Sequence, residues 1–211
     1  MRVLAVLAAM VTLAAPGHAS PVNVIANSSF DDTFIGPNTI LAGAIVPGWS
    51  TLPFLMNTPA GNVWPLLGAT GPQYADIGNT PSSGIEQTFT IGAGDVIDSI
   101  SWSDNTAIPS GSSLYSVQLT DQSSAVVAQG SYVTSAHLTI WDQKQLSLTS
   151  VLGAGTYTLR MFGTTGVGTA DSLVDDVVVL ADAAPVPLPA SAFLLLSALG
   201  LGALGARARR V

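Results

Sequence analysis

Acid–base or nucleophilic catalysis needs an activated side chain, and this sequence offers few. After residue 19 the only histidine is His137, in "HLTIWD", with Asp142 five positions on. Side chains alternate across a strand, so these two face opposite sides and form no dyad. No GxSxG elbow, HExxH pair or metal-spaced histidine cluster occurs. Glycosidases set two carboxylates across a sugar, one with a raised pKa. Here Glu86 is the only glutamate, and the aspartates stand in contexts such as "GAGD" and "WSDN", where Asp forms turns by bonding nearby backbone. "GTTGVG" at 163–168 contains GxxGxG but leads into a strand, so it does not cradle a phosphate. There is no cysteine, hence no disulfide and no thiolate metal site. These residues read as those of a non-enzyme.

Binding chemistry is better represented. Between Ser20 and Ala184 only Lys144 and Arg160 are positive, against all thirteen acidic residues. Such a segment repels a phosphate backbone, which excludes nucleic acid as a partner. All four Trp and all four Tyr fall in the same segment. Trp64, flanked by Asn62 and Pro65, lies in a proline-interrupted stretch that cannot join a ladder. With Tyr74 it forms the candidate aromatic platform for a sugar, whose CH faces stack while its hydroxyls bond groups such as Asn62. Trp102 and Trp141 read as core residues.

These side chains are carried by strands. No stretch between 22 and 182 holds a 3.6-residue apolar period for three turns; short β-rich runs alternate with Gly, Pro, Asn and Ser clusters, the pattern of an all-β sandwich or barrel. The expected strands are 22–26, 73–78, 84–91, 98–104, 114–120, 125–133, 137–142, 144–152, 155–163 and 172–180. Period-two alternation sets Ile85, Gln87, Phe89 and Ile91 on one face, and Tyr157, Leu159 and Met161 on another. Pro37, Pro47, Pro53, Pro59 and Pro65 make the segment from Phe34 to Gly71 an edge strand near 44–49 followed by a long loop.

The two ends differ from the middle. "MRVLAVLAAMVTLAAPGHAS" has the charged, apolar and small-residue parts of a secretory signal peptide, with cleavage expected after Ala19. From Ala190 to Ala206 the chain is uncharged, at the short limit for a membrane-spanning helix. Its strongly apolar residues supply about −2 to −4 kcal/mol of insertion energy, which its glycines and serines erode. Arg207, Arg209 and Arg210 follow and stay cytoplasmic by the positive-inside rule. The organisation is therefore a signal peptide (1–19), one β domain (20–184) and a C-terminal segment (185–211).

Several motifs carry a resemblance. "NVIANSSFDD" (23–32), "VPGWST" (46–51), "GPQYADIGNTPSSGIEQTFTI" (71–91) and "SLVDDVVV" (172–179) are similar, in order, to the motifs of galactose-binding-like domains, with Ser28 and Asp31 replacing the usual Gly and Glu. The resemblance implies a jelly-roll β-sandwich. It also implies one structural Ca²⁺ held by Asp31, or its neighbour Asp32, together with Asp176, since a hard cation collects oxygen ligands. The tail resembles the PEP-CTERM sorting signals of exported bacterial proteins in the variant "VPLPA", here Val186, Pro187, Leu188, Pro189 and Ala190. That implies an exosortase and the secretion machinery as partners, transient anchoring through 190–206, and display at the cell surface or in the extracellular matrix. Three functions are open: a non-catalytic surface or matrix protein that touches exopolysaccharide, a dedicated carbohydrate-binding module using loop aromatics, or a glycan-acting enzyme.

Overall fold

The computed structural model describes residues 20–32, 46–51, 69–71, 73–78, 80–81, 83–106, 112–134, 140–164 and 171–182. All of them but Ser20 belong to one compact unit, Pro21–Ala183. The signal peptide, the "VPLPA" motif, the 190–206 span and the three terminal arginines lie outside the described residues, as do Asn62, Trp64 and His137.

Ten strands are present among the described residues: β1 (Val22–Asn23), β2 (Ser50–Thr51), β3 (Ala75–Gly78), β4 (Gly84–Ile91), β5 (Val96–Thr106), β6 (Leu114–Asp121), β7 (Val126–Val133), β8 (Asp142–Gln145), β9 (Gly155–Gly163) and β10 (Ser172–Asp182). They form two antiparallel five-stranded sheets. One runs β1-β10-β5-β8, with β3 pairing the other half of the β10 edge that β1 uses; the second runs β2-β4-β9-β6-β7. Every pair of consecutive strands except β6 and β7 lies in different sheets, so the inner faces close on a common core. The fold is an all-β sandwich.

Alternation decides which side chains enter that core. In the second sheet Ile85, Phe89 and Ile91 from β4, Tyr157, Leu159 and Met161 from β9, and Tyr115, Val117 and Leu119 from β6 are buried together with Ile100, Trp102, Val174, Val177 and Val179 of the first. Two bulges adjust the register between β10 and β5. One between Asp175 and Val178 puts Asp176 at φ 49° and lets Val174 and Val177, three residues apart, both face inward. The second, between Leu180 and Ala181, does the same for Ile97 and Ile100.

Several expected elements differ. The edge strand expected at 44–49 is, where described, a turn closed by Trp49 N–H donating to Val46 O, and pairing starts only at Ser50. Gly48 takes φ 84°, which a strand residue could not. The run expected at 144–152 leaves the ladder after Gln145; Leu146 donates one further bond to Ile100 O and Leu152 makes a single bridge to Ile97. Asp104, read as a turn former, sits inside β5, wholly buried.

Candidate functional site

The register of the second sheet builds a continuous polar outer face. Where the inner positions of β6 enter the core, the alternate positions Ser116, Gln118 and Thr120 face outward. Cross-strand partners then align in rows: Ser50, Glu86, Arg160, Gln118 and Gln129 form one, and Gly84, Phe162, Ser116 and Ser131 the next. A groove of about 330 Å³ opens over these rows, lined by Ser116, Gln118, Gln129, Ser131 and Phe162, with the backbone of Val117 and Gly130 as its floor.

The groove is furnished for hydroxyl-rich ligands. Each glutamine amide offers two donors and an acceptor, and each serine hydroxyl both. Ser116 Oγ and Ser131 Oγ are 3.3 Å apart and bond each other. Arg160, the only cation on the sheet, lies over the Phe162 ring with Cζ 4.6 Å from the centroid, a cation–π contact. Arg160 Nε is buried with no hydrogen-bond partner. Toward β4 the face continues as threonines, with Thr88 and Thr158 hydroxyls 2.9 Å apart. The sequence carried the signal for this face in the outward halves of "LYSVQLT", "AVVAQGSYV" and "GTYTLRMFG", but which strands stand side by side is set by topology and could not be read there.

Of the residues proposed from sequence for sugar binding, Tyr74 is the one described, and it is buried. It is 1% exposed, packed with Leu173 and with Trp141 at 5.8 Å between ring centroids. No sugar can stack on a ring sealed in this way, so Tyr74 is a packing residue. Trp102 is in the core as expected.

Asp31, Asp32 and Asp176 do converge in part. The chain after β1 folds into a tight segment in which Asp32 N–H donates to Asn27 Oδ1, and Val177 N–H of β10 reaches back to Ser28 O. Burial raises the Asp31 carboxyl above its ordinary range, and the charges of Asp176 and Asp32 add to that. Asp31 Oδ1 is buried with no hydrogen-bond partner. Gly71 is what admits the carboxylate: a Cβ there would lie 1.8 Å from Asp31 Oδ2. The Thr70 hydroxyl donates to Asp176 Oδ1, while Ala69 N–H donates to Asp175 Oδ2 at 2.6 Å. Asp175 is wholly buried, because β10 is flanked by β5 on one side and by β1 and β3 on the other. Among the described residues no group of three or more His, Cys, Asp or Glu surrounds a point that could hold a metal ion.

No protein family and no curated protein matches the chain. Among solved structures, the apo form of a cyclase from Fischerella sp. is similar with a TM-score of 0.57 at 15% identity, over 78% of this chain and 98% of that one. A cyclase from Fischerella sp. TAU is similar at 0.56 and 16%, over 78% and 99%. The Stig cyclase Fisc from Fischerella sp. TAU, in complex with (3Z)-3-(1-methyl-2-pyrrolidinylidene)-3H-indole, is similar at 0.56 and 15%, over 78% and 100%. At such identities the likeness is one of fold: the chain has the two-sheet sandwich that these proteins share.

Proposed function

We propose that this chain is an exported, non-catalytic β-sandwich of the galactose-binding-like jelly-roll kind that holds an uncharged polysaccharide across the outer face of its second sheet. The groove lined by Gln118, Gln129, Ser116, Ser131 and Phe162 carries this reading. Paired amides and hydroxyls match successive sugar hydroxyls, and the Arg160–Phe162 pair gives a flat surface for a pyranose face. A neutral glycan is favoured because the domain holds thirteen acidic groups, which repel a polyanion. Affinity electrophoresis in gels cast with neutral polysaccharides tests it. Gln118→Ala with Gln129→Ala should weaken retardation more than tenfold, since each loses two or more hydrogen bonds of about 0.5–1.5 kcal/mol. Retardation unchanged in that pair but lost in Trp64→Ala would transfer binding to the long loop, as the module reading has it. Turnover of a glycan, abolished by Glu86→Gln or Asp104→Asn, would overturn the non-catalytic reading.

The same proposal includes the route of export: a signal peptide ending at Ala19, and a PEP-CTERM tail in which "VPLPA" is presented to an exosortase by the 190–206 span. The order of motif, short span and arginines supports it. Mass spectrometry of the mature protein should find the chain ending near residue 190, and a released species retaining 190–211 would refute processing. The structural Ca²⁺ belongs here too. Asp31, with its unpartnered buried oxygen, and Asp176 would hold it, and a hard divalent cation there offsets the two like charges. Adding a chelator should lower the melting midpoint by several degrees; an unchanged midpoint sinks the ion.

A further inference from the structure

Lys144 is one of two cations in the domain, and it is spent on a pair of acids, Asp104 buried and Asp142 partly exposed. The short edge strand β8 lies on β5 so that Lys144 opposes Trp102 and Asp142 opposes Asp104. Lys144 Nζ is 3.6 Å from Asp104 Oδ1 and 3.7 Å from Asp142 Oδ2. The two oxygens of Asp104, wholly buried, are treated differently. Oδ2 accepts the Tyr115 hydroxyl at 2.6 Å, which in turn accepts Trp102 Nε1–H at 2.7 Å. Oδ1 is buried with no hydrogen-bond partner, only the ammonium nearby. Tyr132 closes the cage, its ring 4.8 Å from Trp102 and 5.7 Å from Tyr115.

An ion pair accounts for attraction but leaves a desolvated charge, and such pairs stabilise little once that cost is counted. Condensation removes both charges and the unpartnered oxygen together. We propose that Lys144 Nζ and Asp104 Cγ join in an intramolecular amide bond that covalently ties β8 to β5 in the folded protein. Asp142, partly solvent-facing, takes a proton from the Lys144 ammonium. The neutral amine then attacks Cγ of Asp104 in its neutral acid form, which burial favours by pushing its pKa up to about 6. The C–N bond forms, and the charge developing on Oδ2 meets the Tyr115 O–H already aimed there. Asp142 returns its proton to the Oδ1 hydroxyl, which leaves as water when the Cγ–Oδ1 bond breaks, and takes one from the nitrogen. The products are an amide, one water and protonated Asp142, whose proton exchanges with solvent. No oxidant or cofactor enters the balance. Holding amine and acid side by side turns a bimolecular condensation into an intramolecular one, and the complete burial of Asp104 opposes hydrolysis.

The sequence makes the test direct, because Lys144 is the only Lys or Arg between Ser20 and Arg160. The folded full-length protein is denatured, digested with trypsin and weighed. An acylated lysine resists trypsin, so the expected product spans position 144 uncut up to Arg160 and is lighter than its sequence by one water. Release of the free 145–160 peptide, or an uncut span of full mass, means an ion pair only and overturns the proposal. Lys144→Arg keeps the charge and the protease site and should release 145–160. Asp142→Asn, exposed enough to be tolerated, should slow the loss of water over hours after refolding; a rate equal to wild type would remove Asp142 from the mechanism.

Discussion

Between pH 7 and pH 4 the folded domain should gain about 2–4 kcal/mol of stability from one residue, Asp76, and Asp76→Asn should abolish that gain. Asp76 lies on β3 opposite Leu173, and its carboxyl is pushed up to about 7, first by burial and then by the charge of Asp171. Asp171 is itself raised by burial. Below about pH 4, near the ordinary carboxyl value of 3.8, both folded and unfolded chains keep the proton and the residue costs nothing. As pH rises from there the unfolded chain ionises while the folded one does not, and stability falls until both are ionised above about 7. At about 1.4 kcal/mol per pKa unit the full interval is worth about 4, reduced here because Asp76 keeps some contact with solvent. Asn at this position still accepts the Gly78 N–H that Asp76 Oδ1 now accepts at 2.7 Å, so the variant isolates the charge. Urea midpoints at pH 4.5 and 7.5 give the answer; a wild type no more stable in acid than at neutral pH would contradict it.

How far the fold could be read ahead depended on what each signal measures. Alternation in "GIEQTFTI" and "GTYTLRMFG" reports a local period, and β4 and β9 appeared with the expected faces inward. A bulge reports nothing locally: the φ of Asp176 and the inward placing of both Val174 and Val177 follow from pairing with β5 and from the Ser28 carbonyl, both far away in sequence. The site was less legible for the same reason. Arg160 is far along the chain from Gln118 and Gln129 and joins their row only because β9 is the neighbour of β6. Tyr74 misled because it follows a proline-rich segment, where exposure is common, yet it is sealed by Leu173 and Trp141 from later in the chain. Asp104 misled because "WSDN" is good turn chemistry. Its burial in β5 goes with partners far from the motif: Tyr115 bonds one oxygen across the sandwich, and the Lys144 ammonium faces the other along the sheet edge.

That network supplies the second large effect, since the same substitution should differ severalfold at two tyrosines whose rings touch. Tyr115→Phe is expected to destabilise the domain by about 3–5 kcal/mol, and Tyr132→Phe by about 1 kcal/mol. The Tyr115 hydroxyl both accepts Trp102 Nε1–H and donates to Asp104 Oδ2, with all three residues fully buried. Removing it strands a donor and a carboxyl oxygen where no water can replace it, each costing about 1–3 kcal/mol and more when charged. The ring itself still fits, so little packing is lost. Tyr132 donates one bond, to Gln145 O at 2.9 Å on the partly exposed rim of β8, where solvent can take over the freed carbonyl. Guanidinium titrations of both variants should show equal slopes and unequal midpoints. Equal midpoints would mean that the Trp102–Tyr115–Asp104 chain is no stronger than a surface hydrogen bond. If the Lys144–Asp104 amide is present, Tyr115→Phe should also slow its formation, because the O–H that stabilises the oxyanion is gone. The released 145–160 peptide then rises in Tyr115→Phe and not in Tyr132→Phe, which separates a role in the reaction from a role in packing.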